Sequence, residues 1–357
     1  MNKIVMTGGG TAGHVTPNIA LMPLLKQRGY HISYVGSYDG IEKKLIDEQH
    51  IPYYGISSGK LRRYFDWKNF SDPFKVVKGY QQAKQILKKI KPDIVFSKGG
   101  FVSVPIVLAA KHLHIPAIIH ESDITPGLAN KLALSGAQKV CCNFPETLNY
   151  LPAEKAVLTG SPIRHELLNG DKEKGRLFCN FHTSLPVLLI IGGSIGSVFV
   201  NDALRSILDS LLKSFQIVHI CGEGNLSPAH EHIQGYLQLA YVNEELADLF
   251  ALADLVISRA GANTICELLA LKKPNLLIPL GSSASRGDQI LNAHSFEKQG
   301  FSMVLEQEQL NNQTLEQAIQ TLYKNRQTYI AAMSQTDQTD PIELIVNLIQ
   351  SYTKERA

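Results

Sequence analysis

Long apolar runs are missing from this sequence: none comes near the roughly 20 residues that a membrane-spanning helix needs. Its five cysteines include no Cys-x-x-Cys pair, so we expect reduced thiols in a cytoplasmic protein rather than a disulfide framework. The first residues run into the strand-like KIVMT, and we expect no secretory signal. Any membrane contact is therefore expected to be peripheral.

A strong charge of either sign is also missing. The formal net charge is +3, with 44% apolar and 19% charged residues, which is typical of a folded globular protein and not of a disordered one. We expect no nucleic-acid partner from so mild a charge. At 357 residues the chain is too long for one ordinary core and fits two α/β domains of about 150 residues each.

Apolar runs of four to seven residues alternate with amphipathic stretches, as in βαβ units around parallel sheets. The first half has candidate strands at KIVMT, HISYVGS, DIVFSK, PAIIHES and KVCCNF, and the second at PVLLIIG, QIVHICG, YLQLAYV, DLVISRAG and PNLLIPLG. The strand, glycine-rich turn and helix pattern restarts at residues 185–214, which predicts two Rossmann-like domains. We place them at 1–162 and 163–339, with an amphipathic helix at 340–357 that returns toward the first domain.

The first glycine-rich turn contains Gly8, Gly10 and Gly13, and His14 follows it. A dinucleotide site would need an acidic residue at the end of the second strand, but HISYVGS ends without one and Asp39 comes later. Alternatively, His14 only pairs with a backbone carbonyl. A third interpretation is a backbone nest in which a neutral His14 acts as a general base.

The second half carries three motifs that suit a nucleotide sugar. The turn GGSIGS at 192–197 offers backbone N–H groups to an anion at a helix N-terminus. In SRAGANTICE, small residues precede a helix whose Glu267 could accept hydrogen bonds from a ribose diol. Asp288 and Gln289 could bind sugar hydroxyls. Each of these side chains could also be merely solvated, and the order of the three motifs is what favours a site.

Residues 57–91 are strongly basic, with ten Lys or Arg against two Asp. Aromatic residues lie among them, as at an interface with anionic lipid. A basic helix over a core-facing aromatic cluster is the alternative. The candidate membrane contacts are Lys60, Arg62, Arg63, Phe65, Trp67, Phe70 and Phe74.

Metal ligation is not supported. The pairs His112/His114 and His230/His232 lack the Cys or carboxylate partners that would complete a ligand set at familiar spacing. We expect neither a metal nor another cofactor. A Gly-x-Ser-x-Gly nucleophile elbow is absent from the sequence.

Taken together, the motifs resemble the two-domain GT-B glycosyltransferases, in particular the UDP-N-acetylglucosamine transferases that make lipid II for peptidoglycan. The resemblance covers essentially the whole chain. It rests on TGGGTAGHVTP, SSGKLRR, SKGGFVSVP, HESDITPGLANK, GSPIR, GGSIGS and SRAGANTICE with the later GDQ. It implies an α/β fold with two Rossmann-like domains facing a cleft, an N-terminal acceptor domain and a C-terminal UDP-GlcNAc domain.

The resemblance also implies roles for individual residues. Donor contacts fall on Arg164, Ser194, Asn201, Val242, Gly261, Ala262, Glu267 and Gln289. Acceptor contacts fall on Thr11, Gly13, Asp123 and Asn130, with His14 and Glu121 as catalytic residues. His14 is the candidate base, and Glu121 is either its orienting partner or the base itself.

The implied reaction is the inverting transfer of GlcNAc to the 4-hydroxyl of the MurNAc of lipid I, at the cytoplasmic face of the membrane. The implied partners are UDP-GlcNAc, lipid I, an anionic membrane surface and other cell-wall enzymes. The sequence departs from the family pattern at Phe101, Asp123, Ile195 and Asp288, where other members have Tyr, Asn, Gln and Gln. These departures affect individual contacts more than the reaction.

Three other functions stay open at this point. A glycolipid transferase such as a diacylglycerol glycosyltransferase would share the donor half and differ in the acceptor. An NAD-dependent oxidoreductase would use the first glycine-rich turn, against which the missing acidic residue argues. A nonenzymatic binder of lipid-linked sugar would release no UDP.

Overall fold

The computed structural model describes residues 2–59, 72–193, 196–281, 287–336 and 340–354. The chain forms two compact units. Unit 1 comprises Met1–Arg164 together with Thr339–Ala357, and unit 2 comprises His165–Gln338. Each unit is built on a parallel sheet with helices, so the predicted class of two Rossmann-like α/β domains is confirmed.

Unit 1 has a seven-stranded sheet in the order β3-β2-β1-β4-β5-β6-β7. The strands are β1 Lys3–Thr7, β2 His31–Ser37, β3 Tyr53–Ile56, β4 Ile94–Ser97, β5 Ala117–Glu121, β6 Lys139–Cys142 and β7 Ala156–Leu158. Chain order reverses between β1 and β4, where Thr7 lies opposite Ser97. The loops that follow these two strands therefore lie side by side at the carboxyl edge of the sheet, where α/β folds bind ligands.

Helices cover both faces of this sheet, which explains why its central strands are apolar throughout. Ile4 and Met6 of β1 are buried in one core cluster, and Val5 is buried in another. The helices are α1 Thr16–Gln27, α2 Ile41–Asp47, α3 Asp72–Ile90, α4 Ser103–His112 and α5 Leu128–Ala133. Helix α1 has Pro17 in its first turn and ends before Gly29, whose φ of +81° suits a glycine.

Unit 2 repeats the design with the order β10-β9-β8-β11-β12-β13. Its strands are β8 Val187–Ile191, β9 Gln216–Ile220, β10 Tyr236–Leu239, β11 Leu255–Ser258, β12 Asn275–Leu277 and β13 Met303–Val304. Its helices are α6 His165–Leu168, α7 Lys172–Cys179, α8 Val198–Ser206, α9 Leu208–Leu211, α10 Leu246–Leu252, α11 Ala262–Ala270, α12 Asp288–Lys298 and α13 Asn312–Ser334. Here the order reverses between β8 and β11, so the described residues just after β8 lie beside the loop that opens α11.

The last helix, α14 Pro341–Lys354, belongs to unit 1. It buries Ile342, Ile345, Val346 and Ile349 in the same core cluster as α1 and β1. At its far end, the Thr353 hydroxyl lies 2.7 Å from the Tyr30 hydroxyl. The amphipathic pattern of the sequence is thus explained by packing against the N-terminal segment.

All ten strands expected from the sequence are present, and the described residues form three further strands that were not predicted. These are β3, β7 and β13, of four, three and two residues. They are short edge strands whose residues are mostly half-buried, so they lack the long apolar run that marked the others.

Two kinds of feature are absent from the described part of the chain. No helix there is both long and apolar enough to cross a bilayer. Nor does that part gather three or more His, Cys, Asp or Glu side chains in a group able to hold a metal ion.

Candidate active site

The glycine-rich turn of unit 1 leads from β1 into a short 3₁₀ helix, Ala12–His14. Gly10 has a φ of +88°, a conformation that a residue with a side chain rarely adopts. Thr11 occupies the N-cap position of the 3₁₀ helix without a side-chain capping hydrogen bond, and its Oγ1 lies 3.0 Å from Nδ1 of His14. The turn thus presents a half-buried imidazole whose orientation is fixed by its own neighbour.

The imidazole of His14 is uncharged at neutral pH. Burial, followed by the positive charge of Lys98, lowers the pKa of His14 to about 4. A neutral imidazole with an available lone pair can accept a proton from an alcohol. The chemistry expected of His14 is therefore compatible with its surroundings.

Glu121 lies at the end of β5 and is 4% exposed. Its carboxylate accepts hydrogen bonds from the backbone N–H groups of Asp123 at 3.0 Å and Gly127 at 2.9 Å, and from the Asn130 amide at 2.8 Å. Burial raises the pKa of Glu121, although these hydrogen bonds act against it. In this structure Glu121 orders the loop 122–130, and the contacts to the His14 ring come from the Thr11 hydroxyl and from the Gly9 backbone.

The side chains of Asn130 and His14 both lie close to Gly99. A Cβ added to Gly99 would lie 3.4 Å from the Asn130 amide and 3.6 Å from Cδ2 of His14. The Asn130 amide donates to the carbonyl of His120 as well as to Glu121, whereas its buried Oδ1 has no hydrogen-bond partner among the described residues. An acceptor atom is therefore available close to His14. Of the other acceptor-side residues, Thr11 is exposed, and Gly13 and Asp123 are half-buried.

Lys98 is a site residue that sequence reasoning missed. It follows β4, is 1% exposed, and donates through Nζ to Nδ1 of His120 and to Ser122 Oγ, each at 2.7 Å. Because Nδ1 accepts, Nε2 of the neutral His120 carries the proton and donates to the carbonyl of Gly160 at 3.1 Å. The signal in the sequence is a lysine that directly follows the apolar strand DIVFS.

In unit 2, Ser197 directly precedes α8, and its Oγ accepts from Val200 N and so caps that helix. Arg259, which was also missed, lies after β11 and is 8% exposed. Its guanidinium donates to Ser197 Oγ at 2.8 Å and to the carbonyls of Ile278 and Pro279 at 3.1 Å. This buried cation ties the turn after β8 to the loops after β11 and β12. Ser194 and Ile195 lie outside the described residues.

The loop after β11 is built as the motif predicted. Gly261 precedes α11, Ala262 is its buried first residue, and Glu267 lies half-buried on the second turn. The N-terminus of this nine-residue helix, where the helix dipole favours an anion, opens at the strand reversal of unit 2.

The remaining donor-side residues differ in what their side chains do. The Asn201 side chain is buried and is already bonded to the Cys221 carbonyl at 3.0 Å and to His219 Nε2 at 2.9 Å. Gln289 Oε1 accepts from Leu280 N at 3.0 Å. Arg164 is half-buried, and Val242 is buried just after β10. The structure therefore gives Asn201 a bracing role beneath the turn.

Comparison with solved structures defines the class first. A crystal structure of Acinetobacter baumannii MurG matches with a TM-score of 0.77 and 29% identity, over 98% of this chain and all of that one. The glycosyltransferase of kitacinnamycin matches at a TM-score of 0.73 and 16% identity, over 93% of each chain. UDP-GlcNAc 2-epimerase from Neisseria meningitidis matches with a TM-score of 0.68 and 13% identity, over 98% of this chain and all of that one. This likeness shows the fold alone. The architecture is that of the two-domain GT-B glycosyltransferases.

Sequence comparison then gives the family. The model of the glycosyltransferase family 28 N-terminal domain matches residues 4–142, and that of the family 28 C-terminal domain matches residues 187–349. The chain belongs to glycosyltransferase family 28. A relative from Lachnospira eligens is 64% identical over 354 residues, covering 99% of this chain and all of that protein. A relative from Lachnoclostridium phytofermentans is 62% identical over 350 residues, covering 98% of this chain and 99% of that protein. Both are named UDP-N-acetylglucosamine–N-acetylmuramyl-(pentapeptide) pyrophosphoryl-undecaprenol N-acetylglucosamine transferase.

Proposed function

We propose that this protein transfers GlcNAc from UDP-GlcNAc to the MurNAc 4-hydroxyl of undecaprenyl-pyrophosphoryl-MurNAc-pentapeptide, lipid I, giving lipid II and UDP. The observation that carries the proposal is the 64% identity over 354 residues to a relative named for this transfer. The fold alone could not carry it, because an epimerase has the same architecture.

We assign the donor to unit 2. The UDP diphosphate lies at the turn 192–197 and the N-termini of α8 and α11, where backbone N–H groups stabilise charge on the departing phosphate without a metal. Glu267 accepts hydrogen bonds from the ribose hydroxyls. Gln289 binds the GlcNAc hydroxyls. The uracil lies near Val242 and near Arg164, which is the residue of unit 1 that directly precedes unit 2. Arg259 supports this arrangement through Ser197, which it holds at 2.8 Å.

We assign the acceptor to unit 1, with His14 as the base. In this role Nδ1 carries the ring proton and donates to Thr11 Oγ1, so that Nε2 keeps its lone pair. The acceptor oxygen forms its bond to the anomeric carbon while the bond from that carbon to the UDP oxygen breaks, with inversion. Nε2 takes the hydroxyl proton, and the leaving electron pair stays on the β-phosphate oxygen. Asn130, through its Oδ1, is available to hold the acceptor.

We further propose that the protein works as a peripheral protein on the cytoplasmic face of the membrane, because the acceptor carries a polyprenyl anchor. The proposed contacts Lys60, Arg62, Arg63, Phe65, Trp67 and Phe70 lie outside the described residues, as does the Phe74 side chain. The neighbouring helix α3 supports the proposal, since its Lys75, Lys78, Lys88 and Lys89 are exposed.

The test is UDP release from UDP-GlcNAc by the full chain, with and without lipid I in detergent. We expect UDP release that depends on lipid I. When the GlcNAc of the donor is radiolabelled, the label should be recovered in the lipid product. Diacylglycerol is the matched acceptor control, and a response to it in place of lipid I would instead identify a glycolipid transferase. Absence of UDP release with either acceptor, from protein that still binds UDP-GlcNAc, would overturn the enzymatic assignment.

A further inference from the structure

We infer that Glu42 is a positioning residue: its buried carboxylate is the anion that fixes the glycine-rich turn of unit 1 and, through that turn, places His14. Glu42 lies in the first turn of α2, well away in sequence from the turn that it contacts. Only the activity readout of this inference rests on the proposed function. The contacts themselves concern unit 1 alone.

The carboxylate bridges two segments of backbone. Oε2 accepts from the N–H of Gly10 at 3.1 Å, and Oε1 accepts from the N–H of Ser37 at 3.0 Å and from its hydroxyl. The side chain is fully buried. Burial opposes ionisation most strongly, but the hydrogen bonds from Ser37 and Gly10 outweigh it, so the pKa of Glu42 is below its ordinary value. Such charge-assisted bonds from backbone donors to an ionised carboxylate are strong.

The surrounding chain leaves room for this carboxylate through its glycines. A Cβ on Gly9 would lie 2.5 Å from Cδ of Glu42, and a Cβ on Gly36 would lie 2.9 Å from its Cγ. Gly36 is inside strand β2, where a glycine costs stability and often marks a close approach. Tyr53 closes the surroundings by donating its hydroxyl to the Ser37 carbonyl. The carboxylate therefore occupies a site built for it.

The held segment leads directly to His14. Gly10 is followed by Thr11, which occupies the N-cap position of the 3₁₀ helix that ends at His14. The rest of the turn is fixed from below: the Tyr34 hydroxyl donates to the Gly8 carbonyl at 2.7 Å, and the Asn18 amide donates to the Thr7 carbonyl at 3.1 Å. Glu42 adds a side-chain anchor at Gly10, on the side that leads to the imidazole.

This arrangement also explains the missing acidic residue of the sequence. A dinucleotide-binding unit uses an acid at the end of its second strand to hold a ribose, and it leaves the N–H groups of the turn to a pyrophosphate. Here the acid comes five residues after the strand end at Ser37, and its carboxylate binds a turn N–H itself. One of the donors that a nucleotide would use is thus occupied by the protein.

The test compares Glu42→Gln, which keeps length and loses charge, with Glu42→Asp, which keeps charge and loses reach. Glu48→Gln removes an exposed carboxylate just beyond the same helix and is the matched control. We expect kcat of GlcNAc transfer to fall by roughly tenfold to a hundredfold in both Glu42 variants, because small misplacements of a catalytic group have effects of that size. The Kd for UDP-GlcNAc should stay within about twofold, since the donor is assigned to unit 2.

Amide NMR supplies a readout that does not depend on activity. The Gly10 and Ser37 N–H signals should shift in Glu42→Gln and stay in place in Glu48→Gln. Unmoved signals in folded Glu42→Gln, or kcat within about twofold of the parent, would overturn the inference. If Glu42→Gln does not fold, the same two measurements on Glu42→Asp decide. A parent protein that transfers no GlcNAc would defeat the proposed function, and the NMR comparison would still test Glu42.

Discussion

The hydroxyl of Thr11 lies 3.0 Å from Nδ1 of His14, so the proposed base and its orienting partner come from the same 3₁₀ helix and its cap. A hydrogen bond to one ring nitrogen fixes the tautomer and leaves the other nitrogen for the reaction. Sequence reasoning left Glu121 as either the orienting partner or the base itself, and in the structure its carboxylate accepts hydrogen bonds from its own loop and from Asn130.

Replacing Thr11 separates orientation from basicity. Thr11→Val keeps the shape of the side chain and removes the hydroxyl, and we expect kcat to fall about tenfold. Thr11→Ser retains the hydroxyl and should stay within about threefold of the parent. Lipid I-dependent UDP release at saturating donor measures both. Equal activity of the Val and Ser variants would show that the contact does not serve catalysis.

Removing the base itself should have a larger effect. We expect His14→Ala to lower kcat by at least about a hundredfold, with little change in the Kd for UDP-GlcNAc, because the imidazole acts on the acceptor hydroxyl. His31→Ala, which removes an exposed imidazole of the same unit, is the control and should keep full activity. Near-normal turnover by His14→Ala would remove His14 from the catalytic role.

Glu267 should act on donor affinity. We expect Glu267→Ala to weaken the binding of UDP by roughly tenfold, because a hydrogen bond to a charged group contributes about that much to affinity. Calorimetry measures the Kd. UDP lacking both ribose hydroxyls is the matched ligand and should bind the parent and the variant equally. If the variant lost as much affinity for that ligand as for UDP, the carboxylate would not be the ribose contact.

Membrane attachment can be tested by charge. We expect a triple change of Lys60, Arg62 and Arg63 to Glu to weaken binding to phosphatidylglycerol vesicles by at least about tenfold at low salt. The control makes the same charge change at the exposed Lys172, Lys174 and Lys213 of unit 2. A low-salt sedimentation assay in which both triple variants bind like the parent would refute the assignment.

His219 should make unit 2 sensitive to acid. Burial, followed by the charges of Arg205 and His230, lowers the pKa of His219 to about 3. Between about pH 6.5 and 3, His219 is therefore protonated in the unfolded chain but stays neutral in the folded chain. The free energy of unfolding thus falls as pH falls. We expect His219→Gln to lose less stability than the parent between pH 7 and 4.5 in urea titrations. His182→Gln, at an exposed position, should behave like the parent.

Most of the fold could be predicted because its signals are local. An apolar run, a glycine-rich turn and an amphipathic stretch are contiguous in the sequence, and together they gave ten strands and the class of each unit. The short edge strand Ala156–Leu158 has only three apolar residues, fewer than the runs that mark the predicted strands, and they are half-buried or exposed. It is held mainly by pairing with β6, which the sequence does not display.

The parts of the candidate site that are contiguous in the sequence could be predicted in the same way. The turns holding Gly10 and Gly261 were identifiable because their residues are adjacent. Lys98, Arg259 and Glu42 were not, because each acts on a distant partner: Lys98 on a residue 22 positions away, Arg259 on one 62 away, and Glu42 on one 32 away. Their buried charges look like ordinary solvated residues until the strands bring the partners together.

The return of α14 to unit 1 has a consequence for biosynthesis. When residues 1–164 have left the ribosome, the face of α1 and β1 that Ile345 and Ile349 will cover is still bare. Unit 2 is contiguous and can mature as soon as it is synthesised, whereas unit 1 must wait for a segment made some 175 residues later. The nascent chain therefore carries an open apolar surface through the synthesis of a whole domain, a natural point for a chaperone to act.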